Sequence, residues 1–395
     1  MDLASFRNLL TDSGQEALVS AEELQPREED YLLHFQLLSR RYAAEMARAA
    51  LETAILRQEA AKKFPHADRM YFTRKAMEQA SPNEVSTYRS TRYQPFTAAA
   101  DLGCSIGGDT LSLAGVAFTT GIDLDPLRLA IAQVNAQALA LSHKTTFLRA
   151  NLSASLPLFP NPSPLSTDVA LFFDPARRVN GRRIYKVNDY VPPLRIIKAW
   201  LPCFPAIGVK ISPGVNLEEL QSYDAEVEFI SLRGELKEAV LWFGPLKTAH
   251  RRATVLPGDH TLISEKEPDV QLGEPRAYIY EPDPAVLRAG LVRTLGTQLA
   301  AVQLDPDIAY LTSDQVFDTP FARAWAVEDW FPFGLKRLRK YLRERSVGQV
   351  VVKKRGSPLQ PETLIRNLRL SGDQERVIIL THLRGRHIVV VCTPR

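Results

Sequence analysis

Hydrophobic residues recur three and four positions apart over the first part of the chain, as in the segment YLLHFQLL. Residues 28–63 contain neither glycine nor proline, and this spacing predicts a helix there. Ser81, Pro82 and Glu84 predict a further helix start, because Ser81 can cap it, Pro82 suits the first turn and Glu84 completes a capping box. Residues 1–92 are therefore predicted to form a helical module.

From residue 93 the pattern changes to short apolar runs separated by helix-like segments. The runs read TAAADL, VAFTTGID, TTFLRA, DVALFFD and AIGVKIS. Such alternation predicts a parallel sheet covered by helices on both faces. Two further runs, AEVEFISL and EAVLWFG, predict an antiparallel hairpin at the sheet edge. The predicted fold class is α/β with a Rossmann-like sheet, over residues 93–250.

The remaining pattern predicts a linker and two small α+β units. The stretch SEKEPDVQLGEPR, residues 264–276, is polar and turn-rich. It predicts a linker, which we place at residues 251–274. Residues 275–318 are predicted to form a small ferredoxin-like unit. Residues 319–395 follow as a basic domain with a basic helix, a strand, a second helix and two strands that flank RGR.

Composition narrows the class of protein. A chain of 395 residues with 45% apolar and 24% charged residues is typical of a soluble protein of two or three domains. We expect no membrane partner, because no apolar run approaches the roughly 18–20 residues of a membrane helix. The start of the chain lacks the pattern of a secretion signal. The three cysteines are far apart and lack metal-ligand spacing, so we expect a cytoplasmic location and no metal. Oligomeric state is not indicated.

Charge is unevenly distributed along the chain. Residues 320–395 contain 16 Lys and Arg against 6 Asp and Glu, whereas the whole chain has a net charge of +4. This asymmetry favours a polyanionic partner for the C-terminal part, although a solvated basic face is the alternative.

The segment DLGCSIGGD follows the first predicted strand of the sheet. Glycines at such a place let the main chain turn sharply and approach a ligand. Its spacing does not match the G-x-G-x-x-G fingerprint of dinucleotide-binding loops. Asp123 lies twenty residues after Gly103, at the predicted end of the second strand, where a carboxylate can accept hydrogen bonds from both hydroxyls of a ribose. The alternative is a tight turn followed by a helix-capping aspartate.

These residues resemble class I S-adenosylmethionine-dependent methyltransferases. Asp101, Gly103 and Gly107 match the first motif of that family, and Asp123 matches its ribose-binding acid. Asn151 stands where the family usually has an aspartate facing the adenine amine, and its amide oxygen can still accept that hydrogen bond. The resemblance implies S-adenosyl-L-methionine as the cofactor. The cofactor-binding residues it implies are Asp101, Gly103, Cys104, Gly107, Asp123 and Asn151.

Nearly the whole chain resembles a bacterial family of methyltransferases with a THUMP-like C-terminal domain. The segments DPARR, VKISPG, GELKEAVLWFG and PETLIRNLRLSGD carry this likeness. The helical lead-in YFTRKAMEQASPNEVSTYRSTRY is similar to the segment before the core of trimethylguanosine synthases. The resemblance implies a Rossmann-like methyltransferase domain and a C-terminal THUMP-like, ferredoxin-like unit. It also implies an enzyme that methylates structured RNA, either tRNA or rRNA.

Base-amine methyltransferases of this fold end the fourth strand in (Asp/Asn)-Pro-Pro-aromatic. Here Asp174 and Pro175 keep the first two positions, whereas Ala176 and Arg177 replace the others. The resemblance implies that Asp174 and Pro175 are catalytic and align the acceptor. The arginines that follow are predicted to bind substrate, because guanidinium groups match phosphate and stack on bases. They are Arg177, Arg178, Arg182 and Arg183.

Several alternatives stay open around this loop. Its arginines can instead pair with local acids such as Asp189. Tyr185 and Tyr190 can stack on a base or pack at the rim, and Lys210 and Ser212 end the fifth strand at the same rim.

In the C-terminal domain, basic residues recur at helical spacing, and a second basic group follows the next strand. Neutralised phosphates would supply affinity with little sequence information. The predicted RNA-binding residues here are Lys336, Arg337, Lys340, Lys353, Lys354 and Arg355. Trp325 and Trp330 are expected to pack rather than to stack on bases. The alternatives to an RNA methyltransferase are an enzyme for a protein or small molecule, and a non-catalytic protein that binds cofactor and RNA.

Overall fold

The computed structural model describes residues 1–152, 156, 168–179, 182–184, 186–266 and 268–394, with the main chain alone at residues 178, 179, 182 and 183. The chain divides into two compact units. The first comprises Met1–Glu226 and Glu238–Thr248, and the second comprises Val227–Lys237 and Ala249–Arg395.

Helices dominate the start of the first unit, and none of the helices in the described residues is long and apolar enough to cross a membrane. The helices are α1 (Leu3–Leu9), α2 (Asp12–Glu23), α3 (Tyr31–Leu38), α4 (Ala44–Ala60), α5 (Arg74–Gln79), α6 (Asn83–Ser90), α7 (Gly108–Ala114), α8 (Pro126–Ala138), α9 (Ile197–Trp200), α10 (Pro284–Ala289), α11 (Val292–Gln298), α12 (Leu335–Glu344) and α13 (Pro361–Leu368).

The described part of the chain contains eighteen strands. They are β1 (Ala98–Leu102), β2 (Phe118–Asp123), β3 (Thr145–Arg149), β4 (Val169–Phe173), β5 (Arg178–Val179), β6 (Arg182–Arg183), β7 (Ile207–Ile211), β8 (Glu226–Leu232), β9 (Glu235–Phe243), β10 (Arg251–Leu256), β11 (His260–Ser264), β12 (Tyr278–Pro282), β13 (Val302–Asp305), β14 (Ile308–Ser313), β15 (Ala322–Pro332), β16 (Val347–Lys354), β17 (Gln374–Leu383) and β18 (Arg386–Thr393).

The N-terminal helices share one apolar core with α7 and α8. The single helix predicted over residues 28–63 is wrong, since the chain turns between α3 and α4. The turn lets both helices pack against α2, which buries more apolar surface than one straight rod would. A second detail also differs. Helix α6 has Pro82 as its N-cap, and the Ser81 hydroxyl donates to a Glu238 carboxylate oxygen at 2.8 Å.

The sheet of the first unit has the predicted topology. Strands β3, β2, β1, β4 and β7 are parallel neighbours in that order, and β9 pairs antiparallel with β7. The Rossmann-like α/β class is therefore confirmed. All five residues of β7 are buried, and four of the five residues of β1 and of β4 are, as expected of strands covered on both faces. The carboxyl ends of β1, β2 and β4 consequently meet at one edge.

In the second unit the sequence-based boundaries miss two strands. The first half of the predicted linker, residues 251–274, forms β10 and β11, which pair antiparallel. Strand β10 also pairs in parallel with β8, so the predicted hairpin does not lie at a sheet edge. Only residues 257–259 separate β10 from β11, so this stretch carries a local hairpin signal that the linker prediction overlooks.

The rest of the second unit is one seven-stranded sheet in the order β13-β14-β12-β15-β18-β17-β16. Because β12 pairs with β15, the structure does not separate residues 275–318 from 319–395 as two sheets. Helices α12 and α13 cover one face through an apolar cluster that includes Leu338 and Leu364. On the other face, Trp325 lies in the core and Trp330 packs against it, in agreement with the packing role expected of them.

Candidate active site

The loop between β1 and α7 needs glycine at two positions. Gly103 and Gly107 have φ values of +91° and +88°, in the left-handed region that favours glycine. A Cβ on Gly103 would lie 2.9 Å from the Asp174 carbonyl oxygen, and one on Gly107 would lie 3.2 Å from Ala132 Cβ. The loop therefore passes directly beside the end of β4 and against α8, and both glycines are needed for these close contacts within the chain.

Asp123 ends β2 and is fixed by the loop. One carboxylate oxygen accepts from the Ser105 amide and the other from the Asp125 amide, both at 2.9 Å. Each oxygen keeps acceptor capacity for one more donor. The neighbouring Leu124 is 57% exposed, so an apolar surface lies next to the carboxylate. An acid beside an apolar side chain suits a ribose that carries a base.

Other residues predicted to bind cofactor lie differently. Asp101 is fully buried beneath the loop, where it accepts from the Thr110 hydroxyl at 2.6 Å. Burial, with the nearby Asp109 carboxylate, raises the pKa of Asp101 to about 8. The Cys104 side chain is also buried, and its main-chain amide donates to the Ile122 carbonyl at 3.0 Å. Burial raises the pKa of its thiol well above the usual value.

Asn151 lies two residues beyond the end of β3 and is exposed. The strand end is held by the Ala150 amide, which donates to the Asp123 carbonyl at 3.2 Å. Asn151 therefore follows directly on a residue bonded to the main chain of Asp123, while its contact with a cofactor stays a prediction.

Asp174 follows β4 and pairs with a lysine from the neighbouring strand. Lys210 Nζ lies 2.7 Å from Asp174 Oδ2. The aspartate side chain is 25% exposed, whereas the lysine side chain is 3% exposed. The Asp174 amide donates to the Leu102 carbonyl at 3.1 Å, and Pro175 is buried. The carboxylate thus opens to solvent at the same edge as the glycine loop.

A buried ionic cluster continues beneath this edge. Arg89 from α6 pairs with Asp109 of α7 and, at 2.8 Å, with Glu238 of β9. Its guanidinium carbon also lies 4.5 Å from the ring centroid of Phe172, in β4. Burial alone would lower the pKa of Arg89, but the two carboxylates outweigh it and raise the pKa.

Sequence reasoning missed this cluster. Arg89 shares a buried helical face with Val85, Ser86 and Ser90, so an arginine at apolar spacing was the available signal. The sequence predicts Lys210 at the end of the fifth strand, but no local pattern indicates its contact with Asp174.

The arginine loop after Pro175 is a short two-stranded sheet, β5 with β6. Arg177 is half-buried, and its carbonyl accepts from the Ile184 amide at 2.8 Å. The side chains of Arg178, Arg182 and Arg183, and all of Tyr185, lie outside the described residues. Tyr190 is buried and its hydroxyl accepts from the Ser212 amide at 3.3 Å, so it packs rather than forming a stacking platform.

Basic residues of the second unit fall into two groups. On α12, Lys336, Arg337, Lys340 and Arg343 are exposed opposite the buried Leu338 and Leu342. Of these, Lys340 has a local partner, since its Nζ lies 3.7 Å from Glu344 in an exposed pair. Around β16 the charges also have local partners. Lys353 Nζ lies 3.1 Å from Glu281, Arg355 pairs with the same carboxylate at 3.8 Å, and Lys354 donates to Gln360 at 3.0 Å.

Comparison with known proteins agrees with this geometry. An S-adenosylmethionine-dependent methyltransferase of Mycobacterium tuberculosis, described as uncharacterized, is 32% identical over 359 residues, which cover 87% of this chain and 96% of the relative. The same match occurs in two strains of that organism. A methyltransferase structure from Porphyromonas gingivalis W83 superposes with a TM-score of 0.75 at 22% identity, covering 96% of this chain and 98% of that one. That likeness establishes the fold alone.

A glycine loop after β1 and an acid at the end of β2 lie at one edge of a sheet of this topology, an arrangement typical of nucleoside-cofactor sites. The chain belongs to the S-adenosylmethionine-dependent methyltransferases. Its cofactor is S-adenosyl-L-methionine. Residues 322–394 match the family described as THUMP domain-like, and residues 2–60 match a domain of unknown function, DUF8688. The expected family and fold are therefore confirmed.

Proposed function

We propose that this methyltransferase modifies a base in structured RNA, either tRNA or rRNA. The observation that carries the proposal is the exposed basic face of α12, which lies within the THUMP domain-like residues. Lysine and arginine at helical spacing present several charges to one phosphate backbone. The free cysteines Cys104, Cys203 and Cys392 suit a reducing compartment, so the proposal places the enzyme in the cytoplasm.

The residues of the first unit fit the cofactor. Asp123 would hold the ribose, the loop that contains Gly103 and Gly107 would face the methionine end, and Leu124 would contact the base. When bound, the cofactor supplies a methyl group, whose bond to sulfur breaks as the acceptor's lone pair forms the new bond.

Asp174 and Pro175 would align the acceptor. The carboxylate oxygen of Asp174 not bonded to Lys210, and the Pro175 carbonyl, are two hydrogen-bond acceptors that can hold an N–H group. Holding the acceptor in line with the methyl group supplies most of the acceleration in such a displacement.

Incubation with labelled cofactor tests the function. Total RNA from a strain that lacks the gene should accept tritiated methyl groups from S-adenosylmethionine, while RNA from the parent strain should accept few. Label in protein alone would favour a protein methyltransferase. Tight cofactor binding with no transfer to RNA, protein or small molecules would favour a non-catalytic binder. Either result overturns the proposal.

Replacing Asp123 with alanine is expected to weaken cofactor binding about 10- to 100-fold, because two hydrogen bonds to a charged oxygen are lost. Titration calorimetry with S-adenosylmethionine measures this. Asp125→Asn, which keeps an oxygen to cap α8, is the matched control and should retain near-normal affinity. Unchanged affinity in Asp123→Ala would refute the ribose role.

Charge removal on α12 is expected to flatten the salt dependence of RNA binding. Lys336→Gln and Arg343→Gln should each lower the slope of log affinity against log salt by about one. Fluorescence anisotropy with labelled bulk tRNA measures the slope. Lys353→Gln should change it much less, because the Lys353 ammonium contacts Glu281. Equal effects at all three positions would argue against a specific role for α12.

A further inference from the structure

Lys210 is a buried cation with a specific partner. Lys210 is the fourth of the five residues of β7, which pairs with β4. Its side chain is 3% exposed, and its ammonium bonds to Asp174 Oδ2. Burying an ammonium is costly unless a counter-charge and good geometry compensate. A hydrophobic residue could occupy this buried strand position without the cost of removing a charge from water. Packing alone therefore does not explain the lysine.

The surrounding charges keep this lysine protonated. The carboxylates of Asp174, Asp109 and Glu238 face it, and the Arg89 guanidinium opposes them. Burial lowers the pKa of Lys210, but the three carboxylates outweigh burial and raise the pKa above its ordinary value. Asp174 therefore faces a permanent positive charge.

The main chain around Asp174 is fixed independently. Its amide donates to the Leu102 carbonyl, and its carbonyl oxygen contacts Gly103 so closely that no Cβ would fit between them. What remains free to rotate is the side chain. Lys210 bonds to one oxygen of that carboxylate and leaves the other for a ligand at the open edge.

We infer that Lys210 is a positioning residue, whose ammonium fixes the rotation of the Asp174 carboxylate so that one oxygen is presented to the methyl acceptor. The inference rests on the proposed role of Asp174 in holding that acceptor. Lys210 itself makes no contact with the acceptor and acts through Asp174.

The first test is structural and independent of activity. In crystals of the full-length Lys210→Met protein, the Asp174 carboxylate should rotate away from its native orientation, whereas in Lys210→Arg it should keep a bonded oxygen. An Asp174 side chain with unchanged torsion angles in Lys210→Met would overturn the inference, whatever the substrate proves to be.

The second test is a double-mutant cycle of methyl transfer to total RNA from the gene-deleted strain. Lys210→Met should lower kcat about 10- to 100-fold with KM for S-adenosylmethionine within about twofold, as expected for a misplaced acceptor, and Lys210→Arg should restore part of the rate. The double variant with Asp174→Asn should be no slower than Asp174→Asn alone.

The outcomes separate the two proposals. Lys247→Met, which removes another Lys–Asp pair of the same unit, is the matched control and should keep the native rate. Additive losses in the double variant, or a native kcat in Lys210→Met, would overturn the role of Lys210 while the RNA function stands. Absence of label with the native protein would refute the RNA function, and the crystal test would still decide the role of Lys210.

Discussion

The Asp174→Asn variant is expected to lose methyl transfer by about 100- to 1,000-fold, because an oriented acceptor contact at the reacting centre is worth that much. The amide keeps an oxygen for Lys210 and removes the charge, so the fold should survive. Affinity for S-adenosylmethionine should stay near its native value, since the substitution leaves Asp123 unchanged and the glycine loop meets Asp174 at its main-chain carbonyl. Transfer of tritiated methyl groups and calorimetry measure the two quantities.

Asp174→Ala separates chemistry from folding. It leaves the buried Lys210 ammonium without its partner, so we expect a loss of about 3–5 kcal/mol in the free energy of unfolding. Adding Lys210→Met should recover much of that stability but none of the activity. Full turnover in Asp174→Asn would remove Asp174 from the catalytic assignment, and a stable Asp174→Ala protein would show that Lys210 is better hydrated than its burial indicates.

Local signals explain what the sequence could predict of the site. The glycine loop lies on a continuous stretch of chain, and its conformation demands glycine at Gly103 and Gly107. The spacing of these glycines after the first strand is therefore enough to predict the loop. The position of Asp123 at the end of the second strand is expected from the length of one strand-helix-strand unit. Because parallel strands bring their carboxyl ends to one edge of the sheet, the end of the fourth strand is expected beside the glycine loop. Asp174 lies there in the structure.

Contacts between distant parts of the chain could not be predicted in the same way. Arg89 and Glu238 are 149 positions apart in the sequence and become partners only when α6 packs on the sheet. The pairing of Lys353 with Glu281 likewise depends on how the seven-stranded sheet brings β12 and β16 near each other. Hydrophobic periodicity indicates which face of a helix or strand is buried. It does not indicate which charged residue will lie against that face.

The break between α3 and α4 has a similar origin. Neither glycine nor proline marks it, and intrinsic propensity favours continuous helix. Tertiary packing decides, because most helix stability in proteins comes from the burial of an apolar face. The same reasoning applies to β10 and β11, whose pairing stabilises a stretch that looks like a linker.

Arg89→Met is expected to destabilise the first unit by about 3–5 kcal/mol, because it leaves the buried Glu238 carboxylate and the partly buried Asp109 carboxylate without their cation. Asp109 and Glu238 would then repel each other near the fully buried Asp101. Lysine at this position should recover only part of the loss, since it lacks the planar fork that reaches both acids. Urea unfolding followed by intrinsic tryptophan fluorescence measures the effect, because Trp200 and Trp242 lie in the same unit and are both buried.

A matched comparison shows whether burial is the cause. Arg27 forms an exposed pair with Glu29, and Arg27→Met should change the unfolding free energy by less than about 1 kcal/mol. The double variant Arg89→Met/Glu238→Gln should be more stable than Arg89→Met alone, because one uncompensated charge is gone. If Arg89→Met unfolds at the native urea concentration, the cluster is solvated, and helix α6 is held to the sheet by its apolar contacts rather than by this arginine.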